Sequence, residues 1–235
     1  MQSKPLKKIL IVLTNTTRYG NTTDPTGLWL GEATEFALIL QQAGYQIDYV
    51  SPKGGFVPLD PRSMKYTDSE IMAFYETADF QQRALTHSLA PTQVDPADYA
   101  AIYYAGGHGV MWDFPDNKPL QSLAASIYAN GGYVTAVCHG IAGLLNIQTA
   151  SGEYLIANRN VTGFTKSEEI LAGKQSVVPF FNQAVAEQRG ATFLKRRAYK
   201  EYAVQDGHLI TGQNPFSAKA VARLLVQNLA KYPPS

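Results

Sequence analysis

Cys138 is the only cysteine in the 235-residue chain. Before it runs Val134-Thr135-Ala136-Val137, apolar and rich in β-branched residues. After it comes His139-Gly140-Ile141-Ala142-Gly143, small and helical in character. A small residue stands two positions before the thiol (Ala136) and another two after it (Gly140). That spacing is the pattern of a nucleophile elbow, in which a buried strand turns sharply into a helix and lifts the corner side chain out of the sheet. The helix is expected to offer free N–H groups and the positive end of its dipole, which favour thiolate over thiol. A lone cysteine is otherwise most simply a small buried hydrophobe. The elbow spacing and the adjacent His139 favour a reactive thiol.

A cysteine nucleophile needs a base within hydrogen-bond reach and a third group to orient that base. His139 fills the first role only if the elbow bends it back, since successive side chains on a strand-to-helix corner diverge. A carboxylate for its far nitrogen is available in Gly163-Phe164-Thr165-Lys166-Ser167-Glu168-Glu169. Here Ser167 reads as a helix cap and the two glutamates as first-turn residues, which would equally serve to complement the helix dipole. Glu32 follows Gly27-Leu28-Trp29-Leu30-Gly31 near the start of the first helix. Buried beside a thiol, it would share a proton with it, and desolvation would raise its pKa enough for acid and base duty in turn. Glu35, one turn on, reads as an ordinary solvated residue. In Gly106-Gly107-His108-Gly109 the glycines let backbone approach a substrate, and the Gly107 and His139 N–H groups are candidates for an oxyanion hole. His108 faces either a ligand or a backbone partner. Trp29, Trp112 and Phe114 are pocket-wall candidates, with core packing as the alternative. The four histidines are dispersed at 87, 108, 139 and 208, in no zinc-site spacing, so no metal is expected. The glycine-rich segments match neither a dinucleotide fingerprint nor a phosphate-binding loop.

These groups need a scaffold that gathers them at one edge. Leu6 to Leu13 reads as a buried strand, and Thr14 to Asp24 as the loop at its carboxyl end, where open α/β sheets bind ligands. A helix follows from Leu28 to Ala43, stopped by Gly44, then a strand over Ile47–Val50. Ser51 to Tyr66 is too rich in Pro and Gly for regular structure. Helical pattern resumes from Asp68 to Leu89 with a break near Thr77. Further strands are expected at Ala100–Tyr104 and Tyr133–Val137, with a helix over Leu120–Tyr128 between them and another from His139 to about Leu145. Gly152 to Thr162 suggests a hairpin or a short strand pair, and Pro179 to Gln188 a helix with Pro near its first turn. Thr192–Leu194 reads as a strand, Tyr202–Val204 and Leu209–Thr211 as a hairpin across Asp206-Gly207, and Asn214 as the cap of a last helix through Leu229. Strands alternating with helices imply a mostly parallel sheet covered on both faces: an α/β, three-layer sandwich. The chain reads as one domain, 1–235, with a cap-like insertion around 51–90.

Net charge is +1 and no basic run exceeds Lys195-Arg196-Arg197. Neither nucleic acid nor an anionic membrane is an expected partner. A single cysteine allows no internal disulfide, which suits a reducing compartment. Met1 to Pro5 leads directly into a strand-length apolar run, with neither a signal-peptide core nor a membrane span. A cytoplasmic protein is expected.

Several motifs together resemble the DJ-1/PfpI superfamily, and its Hsp31-like branch within the class I glutamine amidotransferase-like fold. They are Ala-Val-Cys138-His139-Gly, Ala-Gly-Gly-His108-Gly, Trp-Leu-Gly-Glu32 and Val-Thr-Gly-Phe-Thr-Lys-Ser-Glu-Glu. Ser51-Pro52-Lys53-Gly54-Gly55, Asp60-Pro61-Arg62-Ser63 and Leu209-Ile210-Thr211-Gly212-Gln213-Asn214-Pro215 agree, and the similarity runs in order along nearly the whole chain. The resemblance implies a flavodoxin-like sandwich, a homodimer, Cys138 as nucleophile and Glu32 as its acidic partner. It also implies a Cys138–His139–carboxylate triad, with Glu168 the better match and Glu169 the alternate. It further implies a cofactor-independent glyoxalase III (D-lactate dehydratase) activity that turns methylglyoxal or a related 2-oxoaldehyde into a 2-hydroxy acid, needing neither metal nor glutathione. Chaperone-like, stress-response and deglycase roles are attached to the same group. Two rivals use the same residues: a cysteine amidase or peptidase working through an acyl-enzyme, and a non-enzymatic redox sensor or holdase.

Overall fold

The computed structural model describes residues 8–231. The expected beginning of the first strand at Leu6, and the Met1–Pro5 segment, lie outside the described residues. In chain order the regular elements are β1 (Lys8–Val12), α1 (Leu30–Gln42), β2 (Ile47–Val50), α2 (Ser69–Tyr75), β3 (Tyr99–Tyr104), α3 (Val110–Asp113) and α4 (Lys118–Ala129). They continue with β4 (Tyr133–Val137), β5 (Asn160–Val161), α5 (Lys166–Leu171), α6 (Asn182–Gln188), β6 (Thr192–Phe193), β7 (Ala203–Asp206), β8 (Leu209–Gly212) and α7 (Ala218–Lys231).

Six strands form one sheet in the order β2-β1-β3-β4-β8-β7. All neighbours are parallel except β7 and β8, the hairpin across Asp206-Gly207. Side chains alternate across a strand, so a strand covered on both faces must be apolar at every position. In β1, Ile9 and Ile11 pack with Phe36, Ala37, Leu40, Leu225 and Leu229 of α1 and α7. Leu10 and Val12 point the other way, onto Leu120, Leu123 and Ile127 of α4. The two buried clusters are the two interlayer cores of the flavodoxin-like α/β sandwich. Phe36 lies flat on Tyr103 with ring centroids 3.6 Å apart. Among the described residues no helix is long and apolar enough to cross a membrane.

Local chemistry sets several boundaries. Asp68 accepts the Ile71 N–H at 2.8 Å and starts α2, and Asn117 does the same for α4 through Leu120 at 3.0 Å. After the expected break at Thr77 the chain resumes as a π-helical stretch over Phe80–Thr86. Two expectations are corrected. Gly152 to Thr162 is not a hairpin: its strand, β5, pairs in parallel with β6, which comes some thirty residues later. Pro179 stands outside α6, which begins at Asn182. Asn214 caps a 3-10 turn over Pro215–Ser217 that leads into α7.

Four segments that carry the chemistry leave the six-stranded sheet at one edge. The carboxyl ends of β1, β3, β4 and β8 are followed respectively by the segment leading to Glu32, by Gly106-Gly107-His108, by Cys138-His139 and by Gln213-Asn214. This is where a doubly wound sheet offers a crevice.

Candidate active site

At the end of β4 the chain turns through Cys138, a non-glycine residue held at φ 58°. Left-handed backbone is costly for a residue with a Cβ and persists only where its surroundings enforce it. The enforcement is close packing by glycines. A Cβ on Gly140 would run into the Tyr104 carbonyl, and one on Gly143 into the Tyr104 ring. The following helix is shorter than expected, a 3-10 stretch over Cys138–Gly143 in place of an α-helix to Leu145. The turn swings His139 back onto its neighbour, placing Nδ1 3.3 Å from Cys138 Sγ.

The expected electrostatics of the thiol are reversed. Cys138 is 2% exposed. Burial, and then the Glu32 carboxyl beside it, push the thiol well above its ordinary pKa, and the His139 N–H does not offset them. Glu32 sits in the first turn of α1 and is fully buried. Its Oε2 accepts the Gly106 N–H at 2.7 Å, while Oε1 has no nitrogen or oxygen partner among the described residues. Burial raises the Glu32 pKa to about 8, against the smaller opposing pull of the Gly106 N–H and the thiol. Thiol and carboxyl thus both hold their protons at neutral pH. Glu35 instead turns to Lys219, 3.6 Å away.

Glu169, not Glu168, is the carboxylate on His139. Glu169 Oε2 lies 2.8 Å from His139 Nε2, and its Oε1 lies 2.7 Å from His108 Nε2. Burial opposes ionisation of Glu169, but the two imidazoles outweigh it and hold the carboxyl far below the usual range. Glu168 points the other way. Its Oε2 accepts the Thr165 N–H at 3.0 Å and hydroxyl at 2.8 Å. Its Oε1 accepts from Tyr199 N at 2.9 Å and from Gln213 Nε2 and Asn214 Nδ2 at 3.0 Å each. Thr165 and Glu168 form a capping box, so the cap of α5 is Thr165 and not Ser167. Adjacent residues on a helix lie about 100° apart, so one of the pair faces His139 and the other ties three segments together.

A cavity of about 540 Å³ opens over the thiol. Its wall includes Trp29, Tyr66, Phe164, Tyr199 and Phe216, with Cys138, His139 and His108 at its base. Trp112 and Phe114 do not line it. Trp112 packs edge-on to Tyr19 with centroids 5.9 Å apart, and Phe114 to Tyr104 at 5.5 Å. Gly107 has φ 106°, and a Cβ there would strike the Gly27 carbonyl. A Cβ on the neighbouring Gly106 would come within 2.6 Å of Glu32 Oε2 and 3.0 Å of the His139 nitrogen. Only glycine lets these backbones and the Glu32 carboxylate meet.

Arg62 was not identified as a site residue from the sequence, where Asp60-Pro61-Arg62 stood only as a shared motif. It lines the cavity and its Nη2 donates to His108 Nδ1 at 2.8 Å. The fully buried Asp60 holds it through Nε at 3.1 Å and Nη2 at 2.9 Å. Burial first, then the electrostatic contributions of the neighbouring His139 and Arg62, lowers the His108 pKa to about 3 despite Glu169. His108, His139 and Glu169 bring three potential ligand atoms within 4.8 Å of one another. No sequence spacing announced that cluster, because it is assembled from three separate segments.

The arrangement can do acyl or hemithioacetal chemistry: a thiol, an imidazole on it, a carboxylate on the imidazole, and a second, protonated carboxyl at the reacting edge. Known proteins are similar to this chain over nearly its full length. The glutathione-independent glyoxalase HSP31 of Saccharomyces cerevisiae is 34% identical over 232 residues, covering 92% of this chain and 95% of its own. The crystal structure of glyoxalase III from Candida albicans superposes with a TM-score of 0.85 at 30% identity, covering 94% of this chain and 96% of that one. The Rapid Encystment Protein 24 KDa of Francisella tularensis superposes with a TM-score of 0.92 at 36% identity, over 95% and 99% of the two chains. The DJ-1/PfpI family model matches residues 27–228, and the chain belongs to the DJ-1/PfpI family.

Proposed function

We propose that the protein is a glutathione-independent glyoxalase of the glyoxalase III type, converting methylglyoxal or a related 2-oxoaldehyde and water into the 2-hydroxy acid. The observation that carries this reading is the Glu32 carboxyl, fully buried beside the Cys138 thiol, where burial raises its pKa to about 8. A plain cysteine hydrolase needs no such group, whereas moving hydrogen between adjacent carbons needs an acid and base that can alternate. The glyoxalase names of the relatives support it.

The chemistry follows from the residues. His139 Nδ1 takes the thiol proton, and Sγ adds to the aldehyde carbon. Glu32 gives its proton to the aldehyde oxygen, completing a hemithioacetal and leaving a carboxylate. That carboxylate removes the hydrogen from the same carbon. His139 returns its proton to the ketone oxygen, which gives a neutral enediol. Glu32 then protonates the ketone carbon and recovers a proton from the first oxygen, leaving a thioester. Water, deprotonated by His139, cleaves the thioester; the acid leaves and the thiol regains its proton. Glu169 keeps the His139 ring oriented and stabilises its protonated form. The Gly107 and His139 N–H groups face the oxyanion at each addition. The aromatic wall, Trp29 and His108 among the lining residues, holds the rest of the substrate. The reading includes a cytoplasmic site of action, which the lone reduced thiol suits, a single 1–235 unit in which the 51–90 segment caps the pocket, and a homodimer.

The test uses Glu32→Gln, which can add the thiol but cannot carry hydrogen between carbons. Incubated with methylglyoxal, it should accumulate an adduct of one substrate mass on Cys138, found by intact and peptide mass spectrometry, with little lactate released. Lactate released at the wild-type rate would remove Glu32 from the reaction and with it this reading.

A further inference from the structure

His108, His139 and Glu169 have the composition of a two-histidine, one-carboxylate metal site, and their donor atoms are near enough to share an ion. A metal-bound histidine uses a bare nitrogen toward the ion and donates its other N–H to an acceptor, a carboxylate or backbone carbonyl in the usual case. His108 is wired the opposite way. Its Nδ1 faces Arg62 Nη2 at 2.8 Å, and a guanidinium has only donors. Nδ1 therefore carries the lone pair and Nε2 the hydrogen. That N–H points at Glu169 Oε1, 2.7 Å away, the position from which a metal would have to be bound. Arg62 cannot easily turn aside. Asp60 grips its Nε and Nη2 and also accepts its backbone N–H at 2.9 Å. Thr26 Oγ1 fixes Asp60 in turn at 3.0 Å, and the Arg62 guanidinium lies over the Tyr19 ring, 5.3 Å from its centroid. The guanidinium charge beside the cluster opposes a second cation there as well.

We propose that Arg62 is a positioning residue that locks His108 as the Nε2–H donor to Glu169, and so keeps the His108–His139–Glu169 cluster loaded with protons and closed to zinc and similar divalent ions. The proposal rests on the glyoxalase reading only in treating His139 and Glu169 as working groups. An ion there would take Glu169 and the Nε2 of His139 out of use. Arg62 thus protects a metal-free reaction from a metal that the same three side chains are otherwise suited to hold.

The test is made in the Cys138→Ala background, so that no thiol holds the ion, and is read by binding and spectroscopy, not turnover. Zinc titrated calorimetrically into Cys138→Ala should find no site that depends on His108. With Arg62→Met added, a one-to-one site should appear, at least about tenfold tighter than any in the parent, and be lost again with His108→Asn. Nitrogen NMR of the imidazoles should show His108 as the Nε2–H form while Arg62 is present. Because Arg62→Met leaves Asp60 a buried unpaired charge, Asp60→Asn with Arg62→Met is the second variant and should gain the same site. Equal zinc affinity with and without Arg62, or a wild-type His108 protonated at Nδ1, overturns the proposal. Either result leaves lactate formation standing, so it is distinguishable from failure of the glyoxalase reading.

Discussion

Replacing Glu32 with glutamine should make the protein more stable while stopping its chemistry, and the gain should depend on pH in a way that packing cannot imitate. The Glu32 carboxyl titrates near 4.5 when solvated and at about 8 in the fold. Its folded pKa is the higher, so the native state holds a proton that the unfolded chain has released. Its contribution to stability is complete below about pH 4.5 and is lost steadily as pH rises toward 8. Each pH unit inside that window costs about 1.4 kcal/mol. Between pH 5 and pH 7 the wild type should therefore lose about 2.5 kcal/mol that the glutamine variant, mimicking the protonated form, keeps. Comparing two pH values cancels any constant difference in packing. For a domain of this size the gap corresponds to roughly 5–10 °C in Tm. Thermal or urea unfolding of both proteins at pH 5, 6, 7 and 8 measures it. A stability difference that does not widen with pH would refute the buried, protonated Glu32 on which the account depends. A variant that is both more stable and inactive would show the cost of function stored in this one side chain.

Three further variants probe the site. Glu169→Gln has one acceptor for two imidazole N–H groups, so His139 loses its orientation and kcat should fall roughly 10²- to 10⁴-fold. Glu169 is held ionised, so its stabilisation is present above the normal carboxylate range and lost as pH falls below it; the variant should unfold less steeply in acid. Glu168→Gln sets an amide against a set of donors and should cost about 3 kcal/mol of stability in denaturant titration, with a smaller effect on turnover per folded molecule. Gly140→Ala drives a methyl into the Tyr104 carbonyl and should cost about 1–3 kcal/mol by the same titration, with weakened thiol reactivity, because the elbow must shift to admit it.

The pair Glu168-Glu169 shows where sequence reading ends and where it stopped early. Strand and helix positions were legible because buried strands are continuously apolar and helix ends carry caps and glycines; β2 and β4 fall at the expected residues. The elbow was legible from spacing alone. The choice between the two glutamates depends on which helix face meets His139, which local sequence does not state. Yet a signal was there: Thr165-Lys166-Ser167-Glu168 is a capping-box pattern, which commits Glu168 to its own helix and leaves Glu169 free. Arg62 had no such signal. It reaches His108 from a loop 46 residues away along the chain, and only the fold brings them together. Trp112 was misplaced for a related reason, since an aromatic near a glycine-rich turn reads the same whether it faces a ligand or Tyr19. The helix dipole legible in the sequence would lower the thiol's pKa, but burial and the neighbouring Glu32 carboxyl, which only the fold supplies, decide it.

The most direct test of the central claim is lactate formation from methylglyoxal by the purified protein with no glutathione present. Wild-type protein should produce lactate catalytically, and Cys138→Ala, folded and otherwise intact, should produce none above the buffer rate. No lactate from the wild type, or equal lactate from both proteins, would contradict a glyoxalase built on the Cys138 thiol.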